Sequence, residues 1–149
     1  MSFSNFTPEI ANTGAGEVFS KDALIQFASI KFEEGLKAGL FAKLDTGSLD
    51  NLDGSVTPVI AGVVTKDVTS TLEEAGTYTA QYHSSVDYVR SGLVTVTVKA
   101  GESPVQFGAV FASNAGDAND GMALIAAGEA TGAEFIREVS TNVWLVRLK

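Results

Sequence analysis

The sequence predicts an all-β fold with at most one short helix, arranged as a small β-barrel or β-sandwich with an extended N-terminal arm. From Val56 onward, short segments rich in β-branched and aromatic residues alternate with clusters of Gly, Asp, Asn and Ser. These turn signals return roughly every ten residues, which is the spacing typical of sandwiches and barrels.

The segment Leu93–Lys99 shows the strand pattern most clearly, because from Val94 onward each valine is followed by a polar residue. Side chains of a strand point alternately to its two faces, so Val94, Val96 and Val98 are predicted to face the core. Strands are predicted at Leu40–Leu44, Pro58–Val64, Thr77–His83, Tyr88–Lys99, Ala109–Ser113, Met122–Ala126, Ala133–Glu138 and Val143–Leu148.

Two earlier segments give less uniform signals. In Glu17–Phe32, apolar residues recur at helical spacing, while the end of the segment alternates like a strand, so we predict a short helix or turn near Lys21–Gln26 followed by a strand. Asp45–Ser55 is so rich in Asp, Asn and Gly that we predict a loop throughout.

The length of 149 residues corresponds to one ordinary domain. Residues 1–16 are polar, with a small-residue end, and we predict that they form an extended arm preceding a single β domain at 17–149. A frayed terminus is the alternative for the arm. Phe3, Phe6 and Ile10 are spaced apolar positions in this arm and are our candidate binding residues.

Composition argues against several classes of function. The formal net charge of −8 and the scattered cations make nucleic acid a poor partner, because binding to phosphates needs clustered positive charge. The absence of cysteine excludes disulfide scaffolds and thiolate chemistry. No apolar stretch is long enough for a membrane span or resembles a signal peptide, so we expect synthesis in the cytoplasm and no membrane partner.

We expect no catalytic residue, cofactor or metal. The single histidine, His83, has Ser84, Ser85 and Asp87 as neighbours, but a catalytic triad normally draws on distant segments. Gly14–Ala15–Gly16 begins like a dinucleotide fingerprint without its third glycine. The acidic loops could hold calcium, but turn chemistry is the stronger explanation of their composition. Their oxygen-bearing residues are Asp45, Asp50, Asn51 and Asp53 in one loop and Asp117, Asn119 and Asp120 in the other.

Four stretches together resemble the head-decoration, or cement, proteins of tailed bacteriophages. The opening is a Gly-rich strand, a loop and an apolar strand that ends in G-V-V. A central unit joins two strands through a Gly/Pro turn, and at the close a Gly-led strand pairs with a terminal V-x-L-V-x-L strand. These stretches are EEGLKAGLFAKLDTG (33–47) with VTPVIAGVV (56–64), RSGLVTVTVKAGESPVQFGAVFAS (90–113) and GEATGAEFIREVSTNVWLVRL (128–148). The opening MSFSNFTPEIANTG also resembles phage structural proteins that begin with an extended arm.

The resemblance implies a non-enzymatic subunit that binds the outer surface of an assembled phage head and stabilises it by bridging major capsid proteins. It also implies self-association, for which we expect a homotrimer, with a dimer as the alternative.

Two other functions compete with this hypothesis. The first is another structural role in the virion, as a tail-tube, head-fibre-base or head-completion subunit. A carbohydrate-binding or adhesin module is the second, and it would need an aromatic platform formed from Tyr78, Tyr82, Tyr88 and Trp144. Trp144 could instead anchor the core or a subunit interface.

Overall fold

The computed structural model describes residues 14–19, 22–32, 35–66, 71–72, 78–80 and 85–149. Within these ranges all regular structure is β-strand, which confirms the predicted all-β class. The strands are β1 (Leu24–Ser29), β2 (Leu36–Lys37), β3 (Phe41–Asp45), β4 (Ser48–Asn51), β5 (Ile60–Val64), β6 (Thr71–Leu72), β7 (Tyr78–Ala80), β8 (Ser85–Thr97), β9 (Ala109–Ala112), β10 (Ala123–Leu124), β11 (Glu129–Ser140) and β12 (Val143–Leu148).

The thirteen-residue strand β8 is the hub of the fold. It pairs with β12 through its C-terminal half and with both β1 and β5 through its N-terminal half. The main sheet follows the order β10-β9-β11-β12-β8-β5-β3-β4, with β1 attached to β8 outside this path, while β2, β7 and β6 form a small second sheet. The predicted alternation is confirmed, since Val94, Val96 and Val98 are all buried.

The main sheet curls into a half-barrel. At one end, an isolated parallel bridge between Val98 and Ala123 brings β10 back beside the end of β8. At the other end, a parallel bridge between Ile30 and Leu49 brings β4 beside the end of β1. Curling in this way shields β10 and β4, the two end strands of the path, whose open edges would otherwise be prone to unwanted pairing.

Two apolar cores lie within this curled sheet. The larger contains Val94, Val96, Val98 and Phe135, and Trp144 packs on it edge-to-face, with 5.5 Å between the ring centres of Trp144 and Phe135. Trp144 is thus a half-buried member of the core's margin. The smaller core surrounds Leu49 and Tyr88.

One glycine makes the approach of β5 to β8 possible. A Cβ atom added at Gly62 would lie 2.0 Å from the carbonyl oxygen of Val89, and its φ of +153° is also unfavourable for a side chain. Val89 pairs with Val63 on β5 and with Ile25 on β1, so this close contact supports the part of β8 to which β1 is attached.

Two local predictions were wrong. Of the short helix or turn predicted near Lys21–Gln26, Asp22 does lie in a turn, but Leu24–Gln26 already belongs to the strand that was predicted to follow. β8 offers these residues a backbone partner, and a six-residue helix is marginal without packing. The predicted loop at Asp45–Ser55 contains β4, which forms a hairpin with β3 through Thr46 and Gly47. Both turn residues have positive φ, as type I′ hairpins require, and completely buried Leu49 fixes the register.

Candidate docking surfaces

The first surface, which we call the β1 surface, is formed by Leu24–Ser29. Five of its six side chains are exposed; the sixth, Ala28, is half-buried. Phe27 has an exposed fraction of 74%, and Leu24 and Ile25 are about half exposed. The segment carries no charge although the chain as a whole is at −8. An uncharged, apolar strand that displays its side chains to solvent is typical of a protein-binding surface.

The C-terminal end of β1 is firmly attached. The amide of Lys31 donates to the carbonyl oxygen of Leu49 over 2.8 Å, and the hydroxyls of Ser29 and Ser48 lie 3.2 Å apart. The Lys31 ammonium group also binds Asp45, which lowers the pKa of that carboxyl group and raises the pKa of Lys31. The exposed side chains of β1 are therefore held on a fixed backbone.

The chain before β1 is also paired with β8. Val18 bridges Val94, and the amide of Gly16 donates to the carbonyl oxygen of Thr95 over 2.8 Å. The buried Thr95 hydroxyl donates to the carbonyl oxygen of Gly14 and accepts from the amide of Glu17. The end of the predicted arm thus lies against the hub strand of the fold.

The second surface, which we call the Phe107 surface, consists of Val105, Phe107 and an adjoining groove of about 320 Å³. Val105 and Phe107 have exposed fractions of 67% and 64%. The groove is lined mainly by small and apolar side chains, and Glu134 and Lys149 stand beside it, 3.8 Å apart. An apolar centre with a charged rim is the usual composition of a protein interface.

The groove exists because β11 bulges away from β9. Pairing at Ala130 with Phe111 resumes only at Glu134 with Ala109, so extra residues of β11 are unpaired between them. The Thr131 hydroxyl fills part of the bulge by donating to the carbonyl oxygen of Val110 over 2.6 Å. Bulges of this kind redirect side chains and recur beside functional sites.

The acidic loops serve structural roles. Asp53 forms an ion pair with buried Lys43 over 2.9 Å, and this hydrogen bond, with a further one from Ser55, lowers the pKa of Asp53 to about 2. The carboxylate of Asp120 accepts from the amides of Ala115 and Gly116. Within the described residues, no three His, Cys, Asp or Glu side chains form a group suited to a metal ion.

The side chain of Asn114 connects the two acidic loops through hydrogen bonds. The Asn114 side chain accepts from the amide of Gly54 over 2.7 Å and donates to the carbonyl oxygen of Ser55 over 2.9 Å. The turn chemistry that we predicted for these loops thus includes contacts between segments sixty residues apart in the sequence.

The predicted binding residues Phe3, Phe6 and Ile10 lie outside the described residues, as does His83. The aromatic platform is not formed by the two candidates whose side chains are described, because Tyr88 is buried and Trp144 packs against Phe135. Sequence reasoning missed Phe27 as an exposed residue and gave no role to Phe107. A separate finding is that no helix in the described ranges is long and apolar enough to cross a membrane.

Comparisons with known proteins agree with a structural role in a phage head. The family model of the XM1 gp53 minor capsid protein matches residues 2–149. A solved structure titled "The capsid of Myoviridae Phage XM1" contains a chain that is 32% identical, with a TM-score of 0.80, covering 92% of this chain and 90% of that one. A search of curated proteins gives no match. The expectation of a structural protein associated with a phage head, and so of a virion component, is confirmed. The chain belongs to the family of the XM1 gp53 minor capsid protein.

Proposed function

We propose that this chain is a non-enzymatic decoration or cement subunit that binds the outer surface of an assembled phage head and bridges its major capsid proteins. The observation that carries the proposal is the pair of exposed apolar surfaces, one on β1 and one around Phe107. They belong to different parts of the fold, since β1 is attached to the N-terminal half of β8 whereas the Phe107 loop bonds to β11.

With two docking surfaces, one subunit could contact two neighbouring capsid proteins at once and so join them. A subunit that contacts two capsid proteins at once binds the assembled shell, where both sites are present at a fixed spacing, more tightly than it binds loose subunits. Binding that favours the assembled state stabilises that state by mass action. If the second contact forms after the first, the gain in avidity is on the order of 10²–10⁴.

Charge favours the outside of the shell. The chain carries eighteen acidic and ten basic residues, and the interior of a phage head faces DNA. Phosphate contacts need clustered cations, and several cations are neutralised within the chain, among them Lys43 by Asp53 and Lys66 by Glu17.

The N-terminal arm would add a third contact. Phe3, Phe6 and Ile10 together contribute roughly 5–9 kcal/mol if buried, at about 1.5–3 kcal/mol each. Fixing the backbone of residues 1–13 on the capsid costs more than this, at about 1–2 kcal/mol per residue. We therefore propose that the arm binds either in part or by adding a strand to the capsid, and that association into a homotrimer, or else a dimer, raises the avidity.

The proposal is tested on heads assembled without this chain. Purified chain is added to such heads and to unassembled capsid protein, and bound copies and the temperature of head disruption are measured. We expect saturable binding to heads, hundreds of copies per particle and a higher disruption temperature. Equal binding to loose capsid protein, or a copy number of only a few per particle, would reject the cement role.

Removing residues 1–13 tests the arm separately. This truncation keeps Gly14, whose carbonyl oxygen accepts the Thr95 hydroxyl, so the domain retains that anchor. We expect weaker occupancy of heads with an unchanged midpoint of unfolding. Undiminished occupancy would show that Phe3, Phe6 and Ile10 are not capsid-binding residues.

A further inference from the structure

Phe107 occupies a backbone position that is unfavourable for a bulky residue. Its φ is +65°, whereas Gln106 before it is not among the residues with positive φ. The amide of Gly108 donates to the carbonyl oxygen of Val105 over 3.0 Å, closing a four-residue turn. This pattern is that of a type II turn, whose third position favours Gly or Asn. A phenylalanine with positive φ is a genuine outlier.

The surrounding structure fixes this conformation. The amide of Phe107 donates to the carbonyl oxygen of Phe135 over 2.7 Å, and the amide of Phe135 donates back to Gly108 over 2.9 Å. Phe135 is completely buried in the larger core, so the turn is bonded to a strand that is anchored in that core. The Phe107 ring is therefore presented on a backbone that cannot easily relax.

Among the residues that the structure describes, packing of the Phe107 side chain offsets little of this strain, because the side chain is 64% exposed. Glycine in the same turn would avoid the unfavourable φ without any loss of buried contacts of comparable size. Residues held in strained conformations by their surroundings cluster at binding and catalytic sites. An exposed, fixed aromatic beside a groove matches the anchors that dominate binding energy at protein interfaces.

We infer that Phe107 is the anchor by which this subunit docks into an apolar pocket of the capsid protein in the assembled shell. The assignment rests on the proposed function. A second copy of this chain is a poorer occupant, because an aromatic side chain buries only about 150–250 Å², while a stable dimer buries about 800 Å² per partner. The shell supplies the missing area through contacts elsewhere, and the family's association with capsids supplies the partner.

The decisive variant is Phe107→Gly, because we expect it to raise the stability of the chain and to weaken its binding to heads. Removing the strain should raise the midpoint temperature of unfolding by about 2–4 °C, the shift typical of a small stabilisation in a chain of this size. Removing the anchor should weaken binding to heads that lack the chain by about 30-fold or more, as for an interface hot spot. Phe107→Ala should lose binding equally without the gain in stability, since alanine also disfavours positive φ.

Ala127→Gly is the matched control. Ala127 has a φ of +61° and is exposed, so glycine relieves the same backbone strain without removing an aromatic side chain. We expect a similar rise in the midpoint temperature and unchanged binding to heads.

The outcomes separate the two proposals. If the unaltered chain binds heads and Phe107→Gly binds them equally well, the anchor role is overturned while the cement role stands. A lower midpoint temperature for Phe107→Gly would also overturn the inference, because it would mean that the side chain serves the fold. If the unaltered chain fails to bind heads, the proposed function is overturned, and the inference with it.

Discussion

Strands β1 and β12 have similar local sequences but differ in how far their apolar side chains are buried. Each has six residues, each is rich in apolar side chains, and each pairs antiparallel with β8. β12 also pairs with β11 on its other edge, and Leu145, Val146 and Leu148 are buried. β1 is pinned to β4 at its C-terminal end and leaves Phe27 largely in solvent.

The difference teaches that burial depends on the second partner, not on the strand itself. β12 lies between two strands and over the larger core, so its apolar side chains contribute to folding. β1 contributes backbone pairing and leaves its apolar side chains available for another protein. The following variants, ordered by expected effect, test this division.

The largest expected effect comes from truncating the core on the β12 side. Phe135→Ala removes a completely buried ring that packs against Trp144, and should lower the free energy of unfolding by about 3–5 kcal/mol. Phe27→Ala makes the same chemical change on β1 and should alter it by less than about 0.5 kcal/mol. Denaturant unfolding measures both, and similar losses would mean that β1 is as much a part of the core as β12.

The next largest effect is expected on β5, which pairs with the same part of β8 as β1 does. Gly62→Ala places a methyl group against the Val89 carbonyl oxygen, and should destabilise the chain by about 3 kcal/mol through forced separation of β5 and β8. Gly101→Ala is the control, since its φ of +92° is also positive but its surroundings are open. It should cost only about 1–2 kcal/mol. Thermal unfolding distinguishes the two, and equal losses would contradict a close contact at Gly62.

A smaller effect is expected where the chain leading into β1 meets β8. Thr95→Val keeps the shape of the buried side chain but removes its hydrogen bonds to Gly14 and Glu17, and should cost about 1–2 kcal/mol. Amide exchange at Gly16 and Glu17 should accelerate. Thr97→Val, two residues along the same face, should change stability by less than about 0.5 kcal/mol. Unaltered exchange in Thr95→Val would show that backbone pairing alone holds this segment.

The smallest effect is a pH dependence that arises from the ion pair between Asp53 and Lys43. The pKa of Asp53 is about 2 in the folded chain, below its ordinary value of 3.8, so its ion pair with Lys43 adds stability above pH 4. This contribution is lost as the pH falls from about 4 to 2. Because the Asp53 side chain is 56% exposed, we expect only about 0.5–1 kcal/mol. Asp53→Asn should remove this part of the acid dependence, and an unchanged acid transition would exclude it.

Local sequence signals predicted strand identity well where alternation is strict and partners are plentiful. Val94, Val96 and Val98 were predicted on the buried face, and the terminal strand was predicted at its observed position, Val143–Leu148. The errors at Leu24–Gln26 and Asp45–Ser55 have different causes. β1 is a strand because β8, distant in the sequence, offers it a backbone partner. β4 is a strand because it pairs with the adjacent β3 across a two-residue turn, which the Asp, Asn and Gly content of the segment does not distinguish from a loop. Nothing local indicated that Phe107 would have positive φ, since the turn signal around Pro104 and Gly108 does not specify which residue takes that conformation.

The sequence by itself determined the all-β class, the buried face of β8, the acidic surface and the absence of cysteine chemistry, because these follow from composition and from a two-residue period. Only the tertiary structure decided which apolar side chains are covered. Phe135 and Phe107 are the same residue type, yet one is enclosed and the other is displayed. Coverage depends on strands and loops brought together from distant parts of the chain, and no local pattern contains that information.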